Sequence, residues 1–145
     1  MKLYIVRGDS MLPAFHEGDR LVVDWRSYRD STPARGDVAV VRGPRQSARH
    51  GLKRIVGLAG EEVRIEDGLL HVDGVVLDEP YLGGLPATLG LAPGDWHVGA
   101  DEYFIMGDNR VRSTDSREYG PVKVDLLIGK ARFRYWPPRR WGPVW

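Results

Sequence analysis

An all-β domain, built as two packed antiparallel sheets or a small barrel, is the fold class the sequence predicts, on three observations. Short β-branched or apolar runs recur along the chain, each bounded by Gly, Pro or Asp. Asp-Gly dipeptides, which tolerate positive φ, separate some of these runs at hairpin spacing. Segments with the 3.6-residue period of an amphipathic helix are scarce and short. A chain of 145 residues suffices for one domain with a real core, so residues 1–145 are expected to form a single domain.

In chain order, Leu3-Tyr4-Ile5-Val6 is an apolar run that leads into the polar turn Arg7-Gly8-Asp9-Ser10-Met11-Leu12-Pro13. Leu21-Val22-Val23 and Val38-Ala39-Val40-Val41 read as strands, as do Val63 to Ile65, Leu69 to Val72 and Phe104-Ile105-Met106. Asp67-Gly68 and Asp73-Gly74 turn the chain between Val63 and Leu77, which predicts a β-meander sub-region over about 62–82. The Gly/Pro-rich span over about 83–94 reads as a surface loop. Val122 to Ile128 is the best helical candidate, and it is short.

Composition narrows the chemistry. Lys and Arg number 21 against 20 Asp and Glu, a net charge of +1, so the chain is no polycation made to coat nucleic acid. The absence of cysteine removes disulfides, thiolate metal sites and cysteine nucleophiles together. His16, His50, His71 and His97 lack the spacing that puts two ligands on one helical face, and the expectation is no metal and no cofactor. No window approaches the roughly 18 to 20 apolar residues that span a bilayer, and no apolar secretory segment stands at the N-terminus. Taken literally, the chain reads as soluble.

Ser10 is the first candidate for chemistry. Gly, Asp and Ser are common turn residues, so the stretch has an ordinary reading as the end of a strand. A serine hydroxyl attacks only when a base takes its proton, and no histidine and carboxylate stand in a pattern suggesting the usual triad. A lysine can serve if its amine is neutral, which requires burial, because free lysine titrates near about 10.4. Of four lysines against seventeen arginines, Lys53 stands among Leu52, Ile55, Val56 and Leu58 and is the candidate base. Its ordinary reading is an exposed strand lysine.

A third segment, "MGDNRVRSTDSREYGPV" from Met106 to Val122, is too elaborate for an ordinary turn after a strand. Together, "GDSMLPAFHEGDRLVV", "LKRIVGLAGE" and "GDNRVRSTDSREYGPV" in this order closely resemble the type I signal peptidase family of membrane-bound serine proteases. "GDVAVV" and "DGLLHVDGVVLDEPYL" look like the family's intervening strands, which extends the resemblance over nearly the whole chain. The first block alone also resembles the self-cleaving repressor proteases.

The resemblance implies that Ser10 is the nucleophile, Lys53 the general base and Ser113 a hydroxyl that orients the amine. It implies supporting ion pairs between Asp115 and Arg117 and between Asp108 and Arg54. The oxyanion would be held by the main-chain N–H of Ser10. Many relatives carry a hydroxyl residue two positions before the nucleophile, where this chain has Gly8, so a main-chain group near Gly8 or an ordered water is expected as second donor. Ala59 and Glu61 stand where the family usually has proline and aspartate. The implied substrates are precursor proteins bearing signal peptides, cleaved after small residues in an Ala-x-Ala pattern and bound as an added strand. The strand leading into Ser10 and the segment Val38 to Val41 are the expected walls. Two alternatives stay open: a repressor-type protease that cleaves itself, and a non-catalytic peptide-binding module on the same scaffold.

Relatives ordinarily place this domain after one or two transmembrane helices, whereas here the strand leading to Ser10 begins at Met1. A trimmed start, an anchorless member and a domain that docks on the membrane all fit. The last of these draws on Phe133, Tyr135, Trp136, Trp141 and Trp145, set among five basic and no acidic residues from Lys130 onward. The expected location is therefore membrane-associated with the catalytic domain extracytoplasmic, or soluble or cytoplasmic if the chain has no native anchor. The plainer reading of the tail has Arg132 and Arg134 facing water while Phe133 and Tyr135 close the barrel. Stacking on single-stranded nucleic acid finds no recognised binding fold to support it.

Overall fold

The short apolar runs form strands, and the strands form two sheets. The computed structural model describes residues 1–43, 50–85 and 93–144. Among them the strands are β1 Lys2–Ile5, β2 Arg20–Asp24, β3 Val38–Arg42, β4 His50–Gly57, β5 Glu62–Glu66 and β6 Leu69–Val72. They continue with β7 Val75–Val76, β8 Gly94–His97, β9 Glu102–Met106, β10 Val122–Lys123, β11 Leu127–Trp136 and β12 Gly142–Pro143. Two single-turn helices, α1 Ser27–Asp30 and α2 Ser116–Tyr119, interrupt them.

The larger sheet runs β1-β2-β11-β3-β4-β9-β10, with β12 paired to β11, and the smaller runs β7-β6-β5-β8. Every pairing within them is antiparallel. β5, β6 and β7 follow one another as a meander. Asp67 and Gly68, and again Asp73 and Gly74, all take positive φ, the backbone of a type I′ hairpin turn.

The run Val38-Ala39-Val40-Val41 is apolar without alternation because both of its faces are covered. Val38 and Val40 pack with Val6, Met11, Phe15, Leu21 and Val23, while Ala39 and Val41 pack with Ile55, Ile105 and Leu127 on the opposite face. A third cluster joins the sheets: Val56, Phe104 and Met106 from the larger meet Val63, Ile65 and Leu70 from the smaller.

The helical expectation for Val122 to Ile128 is not met. Val122 pairs with Tyr103 as part of β10, Val124–Leu126 is a 3₁₀ turn, and Leu127 opens β11. A segment this short cannot offset the cost of nucleating a helix, and the edge of β9 offers its backbone better partners. Of the expected surface loop over 83–94, residues 86–92 lie outside the described residues and Gly94 already belongs to β8. The plainer reading of the tail also fails at one position. Arg134 does not face water but bonds to Asp19, Ala14 O and Arg140 O, over the ring of Phe15.

Candidate active site

The turn after β1 is anchored from below. Met11 and Phe15 are buried in the first core cluster, and the Phe15 N–H donates to Met11 O, so the polar residues between strand and core are pushed toward the surface. Gly8 has φ +73°, a conformation that a side chain would strain. Ser10 is left half-buried at the top of this turn. Its carbonyl accepts the N–H of Asn109 at 2.9 Å, and the Asn109 amide side chain donates to Asp9 O at 3.0 Å. Residues about a hundred positions apart thus share one backbone junction.

Strand alternation places the lysine. In β4, Leu52, Arg54 and Val56 point to one face, so Lys53 points with Ile55 to the other. There it stands opposite Ala39, whose small side chain leaves room for the amine. Lys53 Nζ lies 3.3 Å from Ser10 Oγ and donates also to Leu52 O at 3.3 Å. Burial pushes the Lys53 amine below its ordinary value of 10.5. The Asp115 carboxylate pulls it up, and the Arg117 guanidinium pushes it further down. A deprotonated amine within reach of a hydroxyl can take its proton, which is what nucleophilic attack by serine requires.

Around this pair the two expected ion pairs are present. Asp115 is fully buried: it receives Arg117 Nε at 2.8 Å and Arg117 Nη2 at 2.8 Å, caps α2 through the Arg117 N–H, and accepts the Gly107 N–H. Arg54 grips Asp108 with Nε at 2.9 Å and Nη2 at 2.8 Å, both side chains sealed from solvent. Burial pushes the Asp108 carboxyl up against the pull of that arginine.

Ser113 is placed differently from the expectation that it holds the lysine. Its Oγ is buried and, among the described residues, makes no hydrogen bond to Lys53 or to any other group. It sits over Gly107, where an added Cβ would collide with Ser113 Oγ and come within 2.5 Å of Ser10 O. Only glycine lets the loop pass between the two serines. At Gly8, the expected neighbourhood of a second oxyanion donor, the N–H donates to Glu17 Oε1 at 3.2 Å. Glu61 binds Arg35 and the N–H of Leu58 and so closes that turn.

Sequence reasoning missed Asn109, Arg110, Glu79 and Tyr81. Asn109 belongs to the third sequence block, but its partner Asp9 lies 100 positions away. The Glu79–Arg110 pairing spans 31 positions with no local signature. A cleft of about 230 Å³ opens beside the lysine, lined by Val41, His50, Gly51, Lys53, Thr114 and Tyr119. A second of about 580 Å³ runs along β1, lined by Tyr4, Ile5, Arg7 and His50. β1 pairs only with β2, so its outer edge is open among the described residues.

Comparison with known proteins points the same way. The model of the family described as "Signal peptidase, peptidase S26" matches residues 1–136. The signal peptidase I of Bacillus caldolyticus is 36% identical over 145 residues, covering 92% of this chain and 79% of that protein. The probable signal peptidase I-2 of Synechocystis is 38% identical over 143 residues, covering 94% of this chain and 64% of that protein. The crystal structure of a signal peptidase I from Enterococcus faecalis superposes with a TM-score of 0.59 at 32% identity, over 69% of this chain and 97% of that one.

Proposed function

Because the chain belongs to the signal peptidase family, peptidase S26, we propose that Ser10 and Lys53 are the nucleophile and general base of its reaction. It is a serine peptidase that removes signal peptides from exported precursors. The 3.3 Å contact between Lys53 Nζ and Ser10 Oγ is the observation that carries the assignment. Neutral Lys53 takes the Ser10 proton as Oγ attacks the scissile carbonyl. The tetrahedral oxyanion is held by the Ser10 N–H, a donor of a kind worth about 3 kcal/mol. Collapse expels the new N-terminal amine with the proton from Lys53, leaving an ester on Ser10. Lys53 then takes a proton from the water that attacks the ester and returns it to Ser10 Oγ as the signal peptide leaves, which restores both groups. Arg54, Asp108, Asp115 and Arg117 hold this geometry without entering the chemistry, and the family resemblance assigns Ser113 to orient the amine, although no bond between the two is present.

The precursor lies as an added strand along the open edge of β1, its small residues entering the cleft beside Lys53 in the Ala-x-Ala pattern. The test is incubation with an exported precursor, with and without phospholipid, and mass mapping of the cleaved bond. Cleavage after an Ala-x-Ala segment is expected. An intact precursor, or equal cleavage by Ser10→Ala, overturns the assignment.

The family is membrane-associated, and none of the described residues forms a helix long and apolar enough to cross a bilayer. We further infer that the aromatic edge at β11 and β12 rests on an anionic lipid surface on the extracytoplasmic side. Trp136 and Trp141 are 47% and 66% exposed, Arg20 lies under Trp136, and Phe133 meets Trp141 edge-on. Tyr135 is half-buried, and Trp145 lies outside the described residues. Exposed indoles among cations suit the headgroup region.

A further inference from the structure

The side chain of Glu79 is buried together with that of its ion-pair partner, Arg110. It receives Arg110 Nη2 at 2.7 Å on Oε1 and Nη1 at 3.1 Å on Oε2, both side chains almost wholly sealed from solvent. The Tyr81 hydroxyl donates to the same Oε1 at 2.7 Å. Burial opposes the charge on Arg110, yet the bonds and charge of Glu79 hold its pKa above arginine's usual value. A buried pair of this kind is weak evidence for stability, because desolvation consumes most of the attraction. What it does supply is a defined geometry.

That geometry leads to the nucleophile. Arg110 Nε donates to the Gly107 carbonyl at 2.8 Å, while the Gly107 N–H is held by Asp115. Gly107 is therefore clamped on both sides, directly beneath Ser113 Oγ and against Ser10 O. Two residues on, the Asn109 N–H meets the carbonyl of Ser10. The segment bearing Glu79 reaches the site by two other routes. Tyr81 lays its ring 3.9 Å from the guanidinium of Arg54, the neighbour of Lys53 in β4, and Gly83 approaches Pro13 in the nucleophile turn. Three parts of the site thus lean on one short segment between β7 and β8.

We propose that Glu79 is a positioning residue for the cleavage reaction: through Arg110 it holds the Gly107 carbonyl and so fixes the loop whose Asn109 bears on Ser10. The proposal rests on Ser10 being the nucleophile. It assigns to Glu79 a role in the register of the serine and not in substrate binding, so it acts on kcat and not on KM.

The test compares Glu79→Gln, Arg110→Met and the double variant with wild type. Each single change strands a buried charge or removes its partner, so each should lower the melting temperature. The double variant should regain it, since an ion pair exchanged for neutral groups is often tolerated, and the side-chain carbonyl that Glu79→Gln introduces would still accept from the Tyr81 hydroxyl. If the clamp positions the serine, the double variant should fold like wild type and still lose about a hundredfold in kcat at unchanged KM. The amide of Asn109 should also exchange with solvent faster, while the amides of β4 and β9 stay slow. A double variant that regains wild-type kcat together with its stability overturns the proposal, as does unaltered protection at Asn109. Failure of wild type itself to cleave a precursor would count against the functional reading, and the exchange arm would still decide the clamp.

Discussion

Lys53 Nζ stands 3.3 Å from Ser10 Oγ although 43 positions of chain separate the two residues. The apolar neighbours of Lys53 single it out in the sequence, but nothing local to either segment sets their meeting. The lysine is brought there by the alternation of β4, and the serine by a turn anchored through Met11 and Phe15.

The first prediction tests the base. Cleavage should rise with pH through an apparent pKa below 10.5, because burial disfavours the ammonium form. Lys53→Arg should be as inactive as Ser10→Ala, since a guanidinium keeps its proton at any pH the fold survives. Lys53→Met should be inactive and folded. Rates across a pH series, with circular dichroism as the folding control, decide it. Substantial activity in either lysine variant would move the search to His50, which lines the same cleft.

The same burial makes a prediction for stability. A lysine with a lowered folded-state pKa binds its proton less tightly in the fold than in the unfolded chain. Between the lowered value and 10.5 the unfolded chain therefore holds more protons, and stability rises with pH across that window. Lys53→Met has no such dependence. It should exceed wild type in melting temperature at neutral pH, with the gap closing as the pH approaches 10.5. A gap that is constant with pH would show that the amine is not strained by burial.

Ser113 and Asp115 should separate activity from stability. Ser113 Oγ is buried with no hydrogen bond among the described residues, so Ser113→Ala should leave the melting temperature unchanged or raise it, while its proposed role at the amine predicts a lower kcat. Asp115→Ala removes the acceptor of Arg117, the cap of α2 and the partner of Gly107 together. Breaking a buried pair in this way typically costs about 3 to 5 kcal/mol. Thermal melts of the two variants should diverge, and matching melts would show that Asp115 is not a structural anchor.

The exposed indoles predict lipid binding. At low salt the protein should sediment with anionic vesicles and cleave faster in their presence, and salt should weaken both effects. Replacing Trp136 and Trp141 by serine should reduce sedimentation while leaving cleavage of a soluble precursor peptide intact. Equal sedimentation with and without vesicles would sink the interfacial reading.

The sequence by itself determined the β class, because apolar runs bounded by turn residues bury their faces only when strands pair, and Asp67-Gly68 and Asp73-Gly74 supply the positive φ of two tight turns. It also exposed Ser10 and Lys53, since a lysine set among Leu52, Ile55 and Val56 is chemically conspicuous wherever it lies. Tertiary structure alone decided what surrounds them. Glu79 and Arg110, 31 positions apart, seek each other only because both side chains are buried, and burial is a property of the packed sheets. The same holds for Val122 to Ile128, whose short period would suit a helix until the open edge of β9 claims Val122. Arg134 turns inward for a like reason: Asp19, buried beneath the tail, has to be neutralised, and no reading of the tail's own composition contains that carboxylate.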